Sequence, residues 1–121
     1  MSKLLEFTIE ERIYPYVRMT QRGKFSDPAA LAYMHNQKVI KYILKSNMLY
    51  RNWELFDHQP LGCDLLFELT QVHKADLDNL IKAVLDAGTG IIYTSDAWID
   101  TISARRRKSD APKTIMQFWT L

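Results

Sequence analysis

The sequence predicts an α+β fold: a single small domain whose mixed four-stranded sheet is packed by two helices, in the order β-α-β-α-β-β. Three observations predict it. The 121 residues contain no repeat, low-complexity tract or Pro/Gly/Ser-rich linker, so residues 1–121 read as one domain. Two stretches carry apolar residues at helical spacing behind Ser or Asp caps. Four other runs alternate or cluster β-formers and are separated by turn residues.

Taken in order, Leu4–Tyr16 sets Leu5, Phe7 and Ile9 against Glu6, Thr8 and Glu10 and predicts the first strand. Met19–Asp27 contains Gly23 and reads as an exposed loop or short hairpin. Ser26 or Asp27 then caps a helix whose first turn holds Pro28. This helix is expected to run to about Met48, burying Leu31, Met34, Val39, Ile40, Ile43 and Leu44. Leu61–Val72 predicts a central strand, Asp76–Ala87 the second helix and Gly88–Ser95 a loop. Asp96–Arg107 and Thr114–Leu121 complete the sheet, with Ser109-Asp110-Ala111-Pro112 as a turn between them.

The composition, 47% hydrophobic and 25% charged, is that of a globular protein with one core. One cysteine, Cys63, excludes an intramolecular disulfide and fits a reducing cytoplasm. The opening stretch MSKLLEFTIEERIY holds no long apolar run, so neither a signal peptide nor a membrane span is expected. A net charge of +2 is too small to identify a partner, so the placement of charge matters more than its total.

The informative stretch is HKADLDNLIKAVLDAGTG, His73–Gly90. One account of it is a capped helix. Asp76 is a good N-cap, Asp78 complements the helix dipole, and Leu77, Leu80, Ile81, Val84 and Leu85 form a buried stripe. Asp78 and Lys82 also have the spacing of a surface ion pair. The second account is a metal site. Carboxylates two apart diverge by about 200° in mid-helix but can converge at a strand-to-helix junction. Lys82 would then reach toward the same point, with Asp96, behind a glycine-containing loop, as the best further ligand. Hard oxygens without a Cys/His cluster favour Mg²⁺, with Mn²⁺ as a substitute, over zinc, and no small-molecule cofactor is expected. Asp86 reads as a helix-surface acid near Lys82, and Asp100 as an edge-strand residue.

Three basic clusters accompany this motif: Arg18, Arg22 and Lys24; Lys38, Lys41 and Lys45; and Arg105-Arg106-Arg107-Lys108. Each alone is an ordinary solvated charge run, but beside a Mg²⁺ site they fit a polyanion.

Asp76-Leu77-Asp78-Asn79-Leu80, Lys82, Leu85-Asp86-Ala87, a Gly-containing loop and Asp96 resemble the core motif of the RusA-type Holliday junction resolvases, roughly DLDNL-x-K-x-x-x-DAL-T…DD-x-x-V before a basic strand. The likeness is close over Lys74–Lys108, and RMTQRGKFSDPAALAY resembles the N-terminal region of phage and prophage members. It implies a homodimeric, Mg²⁺-dependent endonuclease that nicks four-way DNA junctions symmetrically, in recombination and repair. By position, Asp76, Asp78 and Asp96 match the family's essential acids, here metal ligands, and Lys82 its lysine. Arg18, Arg22, Lys24, Lys74 and Arg105–Lys108 are the expected DNA contacts. Ser95-Asp96 replaces a frequent Asp pair, the preceding loop is slightly shorter, and the proline-rich opening of some members is missing. The alternatives are a catalytically silent protein of the same fold that binds branched DNA, and an interaction protein in which the acids only cap.

Overall fold

The computed structural model describes residues 4–18 and 27–121. Strand β1, Leu4–Ile9, keeps strict alternation, with Leu5, Phe7 and Ile9 fully buried. It stops well short of Tyr16. Consecutive Glu10, Glu11 and Arg12 break the alternation, and Pro15 has no N–H for a ladder. The segment after it is held by helices instead. The Tyr14 N–H donates to Asn36 Oδ1 (2.9 Å), Asn36 Nδ2 donates to the Arg12 carbonyl (2.8 Å), and the Tyr16 N–H donates to the Asn79 carbonyl (3.0 Å).

Helix α1, Pro28–Tyr50, starts where Asp27 Oδ1 accepts the Ala29 N–H at 2.9 Å. Its buried residues are Ala30, Tyr33, Asn36, Gln37, Ile40, Leu44 and Met48. The expected face is therefore rotated: Ile40 and Leu44 are inside, Met34, Val39 and Ile43 are half-buried, and Leu31 is exposed. The rotation brings in two amides, each hydrogen-bonded; Gln37 Nε2 donates to the Ala83 carbonyl of the second helix at 2.8 Å. Buried amides so satisfied cost little, and they fix how the helices sit. Past the helix end, Asn52 adopts a left-handed φ of 53°, and the Trp53 N–H returns to the Met48 carbonyl (3.0 Å).

Strand β2 is Leu61–Leu69, helix α2 Leu77–Gly88, β3 Ile99–Lys108 and β4 Lys113–Thr120. The sheet order is β1-β4-β2-β3: β4 is antiparallel to both β1 and β2, and β3 runs parallel to β2 at an edge. The 109–112 turn therefore carries the chain past the end of β2, where the Ser109 N–H donates to the Leu69 carbonyl (2.9 Å). One sheet face, bearing Phe7, Leu65, Phe67, Met116 and Phe118, joins Ile40, Leu44, Leu80, Val84 and Ala87 in a single core. Phe118 meets Phe7 and Tyr93 edge-on, with ring centroids 6.3 and 5.8 Å apart. On the other face Trp119 lies across Gly62, where a Cβ would come within 2.3 Å of the indole. That close approach is why glycine occupies the second position of β2.

Candidate active site at the two ends of helix α2

Asp76 is the N-cap residue of α2, in extended conformation (φ −71°, ψ 141°), yet its carboxylate makes no capping hydrogen bond. The side chain is exposed and has no hydrogen bond or ion pair among the described residues. Asp78, in the first turn, accepts the Asn79 N–H on Oδ1 at 3.0 Å. Lys82 does not pair with Asp78. Its ammonium is 3.8 Å from Asp86 Oδ2 and 4.8 Å from the centre of the Tyr16 ring. That ion pair is exposed and worth only a few tenths of a kcal/mol, so Lys82 is easily drawn away.

Asp96 opens a 3₁₀ turn, Asp96–Trp98, where a strand start was expected; β3 begins only at Ile99. Ser95 caps that turn, its Oγ accepting the Ala97 N–H at 3.1 Å. The Asp96 carboxylate is thereby left exposed and, among the described residues, unpaired.

The parallel β2–α2–β3 crossover separates these acids. Asp76 follows the C-terminal end of β2, whereas Asp96 precedes Ile99, which pairs with Leu61 at the N-terminal end of β2. Helix α2, 12 residues long, spans about 18 Å between them. The expectation that Asp76, Asp78 and Asp96 meet at one point is thus not met within the chain. Among the described residues no group of three or more His, Cys, Asp or Glu side chains is gathered to hold a metal.

The ground around each end is firmly built. Tyr93 is fully buried, donates its hydroxyl to the Leu85 carbonyl (2.6 Å), and abuts Gly88, where a Cβ would come within 2.7 Å of the hydroxyl oxygen. Burial first, and then the nearby Cys63, Asp96 and Asp86, push its pKa upward, so it stays protonated. Tyr33 is pushed up to about 12 by burial, with Asp86 and Tyr16 adding to it.

The basic run on β3 splits by strand alternation. Arg105 faces Asp64 (3.4 Å) and Arg107 faces Glu68 (3.2 Å) on the open side of the sheet. Arg106 donates to the Ala75 carbonyl (2.5 Å), and Lys108 donates to the Thr70 carbonyl, so both tether the connection that leads into Asp76. The sequence marked all four as DNA contacts, and the structure gives each an internal partner. This tethering could have been anticipated only from the alternation. Lys74 is exposed and, with Arg12 and Gln71, lines a cleft of about 340 Å³ beside the start of α2. Arg18 is exposed, while Arg22 and Lys24 lie outside the described residues.

The model of the endodeoxyribonuclease RusA family matches residues 15–117, most of the chain and all of the elements that carry these acids. The chain belongs to the RusA endodeoxyribonuclease family. It is therefore a nuclease of a family that resolves Holliday junctions. No individually curated protein matches it, so the family model carries the assignment. The RusA match takes in α1, β2, α2 and β3 whole, and ends within β4. Among the described residues no helix is long and apolar enough to cross a membrane.

Proposed function

We propose that the chain is a homodimeric, Mg²⁺-dependent endonuclease that resolves four-way DNA junctions by paired nicks, in recombination and repair. The observation that carries the reading is the unspent state of Asp76 and Asp96. Asp76 sits at the N-cap of α2 and Asp96 opens the 3₁₀ turn that Ser95 caps, yet neither carboxylate is used by its own turn. Aspartates with no structural employment are costly only in charge repulsion, which a cation relieves. Their oxygens, with those of Asp78, are the hard donors that suit Mg²⁺ or Mn²⁺. The ion would supply Lewis acidity at the scissile phosphate and a more acidic water for hydrolysis.

The chain's own groups do the rest. Lys82 leaves its weak pair with Asp86 and places positive charge against the phosphate as negative charge accumulates there. Because Asp76 and Asp78 lie a helix length from Asp96, a site using both ends needs a second copy. Strand β3 is a sheet edge, and antiparallel pairing of two such edges about a two-fold would set the Asp96 end of one chain against the Asp76 end of its partner. Such a dimer carries two sites, as paired nicks require.

The test is cleavage and binding of a synthetic four-way junction by Asp78→Asn and Asp96→Asn. Both are expected to lose nicking and keep or gain junction affinity, since each removes a charge that repels phosphate. Wild-type nicking by either variant in Mg²⁺ would refute the assignment.

A further inference from the structure

We infer that the exposed face of α1 and the groove beside it hold a single strand of the DNA substrate, its phosphates on Lys38, Lys41 and Lys45 and an unpaired base against Tyr42. The inference rests on the reading that this chain acts on branched DNA, and it names where a strand is held.

Every side chain of the β3 basic run has an internal partner. The three lysines of α1 are exposed and have no ion pair or hydrogen bond through their ammonium groups among the described residues. Unneutralised cations, not paired ones, release counterions when phosphate binds. At 100° per residue, Lys38, Lys41, Tyr42, Lys45 and Leu49 fall within a stripe about 100° wide, its centre about 130° round the helix from that of the buried face. The lysines extend along about 10 Å of helix axis, the reach of two or three phosphates of one strand.

Between this stripe and the chain at 53–55 and 90–91 lies a depression of about 730 Å³. Tyr42, Leu49 and Leu55 stand exposed along it (75%, 72% and 43%), and Glu54 is its one acid against three lysines. Rows of cations beside an exposed aromatic and an apolar floor are how proteins hold unpaired strands without reading sequence. A duplex, stiff and convex, would touch the lysine rim and leave the floor empty. The wall formed by Gly90 and Ile91 belongs to the loop that leads to Asp96, so a strand lying here continues toward one end of the candidate active site.

The test is fluorescence anisotropy of a labelled oligothymidylate of about 12 nucleotides, over a salt series and without divalent metal. The wild type is compared with the triple variant Lys38→Gln/Lys41→Gln/Lys45→Gln and with Tyr42→Ala, each first shown to melt at the wild-type temperature. The triple variant is expected to flatten the log–log salt slope by about 2, at about 0.7 for each phosphate that is no longer neutralised. Tyr42→Ala is expected to weaken binding roughly tenfold with the slope unchanged. Unchanged binding in the triple variant overturns the inference, as does a duplex or poly-glutamate displacing the probe better than unlabelled oligothymidylate. Junction nicking by the wild type, run in parallel, keeps the two readings apart. If it is absent, the nuclease reading fails, whereas a slope that flattens with the lysines removed still upholds the groove.

Discussion

Mixing two inactive variants is expected to restore nicking. Asp78→Asn disables one end of α2, and Asp96→Asn disables the 3₁₀ turn at the other. Ligands of one Mg²⁺ lie about 2 Å from it, so their oxygens are within about 4 Å of each other. Helix α2, 12 residues long, holds these acids apart by several times that distance. If each site takes Asp78 from one chain and Asp96 from its partner, a heterodimer of the two variants concentrates both lesions in one site and leaves the other intact. Equal mixing makes about half the dimers mixed, each with one working site, so total nicking should reach about a quarter of wild type. The assay is single-turnover cleavage of a synthetic four-way junction in Mg²⁺ by co-refolded chains, read on denaturing and native gels. Nicked but unresolved junctions should accumulate, because one site cannot cut the second strand. A mixture as inactive as its parents, with heterodimer demonstrated by differential tags, would refute the reasoning and place the acids of each site in one chain.

Three further outcomes follow from the same geometry. Arg106→Ala should cost about 1–2 kcal/mol by freeing the Ala75 carbonyl; by loosening the approach to Asp76 it should also raise the Mg²⁺ concentration needed for half-maximal nicking, with Arg106→Lys a partial rescue. An effect on melting temperature without one on the Mg²⁺ titration would make Arg106 a purely structural tether. Gly62→Ala should destabilise the fold, since its methyl meets the Trp119 indole, and Trp119→Ala in the same chain should recover part of the loss in denaturant melts. The Cys63 thiol is pushed up to about 12 by burial, with Asp64 adding to it. Its contribution to stability is therefore complete below the unfolded thiol's pKa and is lost as pH rises toward 12; at pH near 8 a thiol reagent should label it only after denaturation.

The helix of the DLDNL motif and the alternation of β1 were legible because each is a local pattern of apolar residues. The turn of α1 about its axis was not, because Asn36 and Gln37 are buried at little cost only once they reach the Arg12 and Ala83 carbonyls, which lie far off in the sequence. The run at 105–108 looks like one basic patch in sequence, yet a strand sends alternate residues to opposite faces and to different partners. The candidate site shows the same limit. Asp76, Asp78 and Asp96 can be singled out by residue type, spacing and family motif, but a parallel crossover carries the chain back along the sheet and parts them. Sheet order decides that separation, and β1-β4-β2-β3 is nowhere written in a local pattern.

Metal-dependent resolution of branched DNA is read directly from cleavage of a synthetic four-way junction beside a linear duplex of the same sequence. With Mg²⁺ the protein should nick opposed strands of the junction as a pair, leave the duplex intact, and stop when EDTA is added. Junction that stays whole in both Mg²⁺ and Mn²⁺, or a duplex cut as readily as the junction, would contradict it.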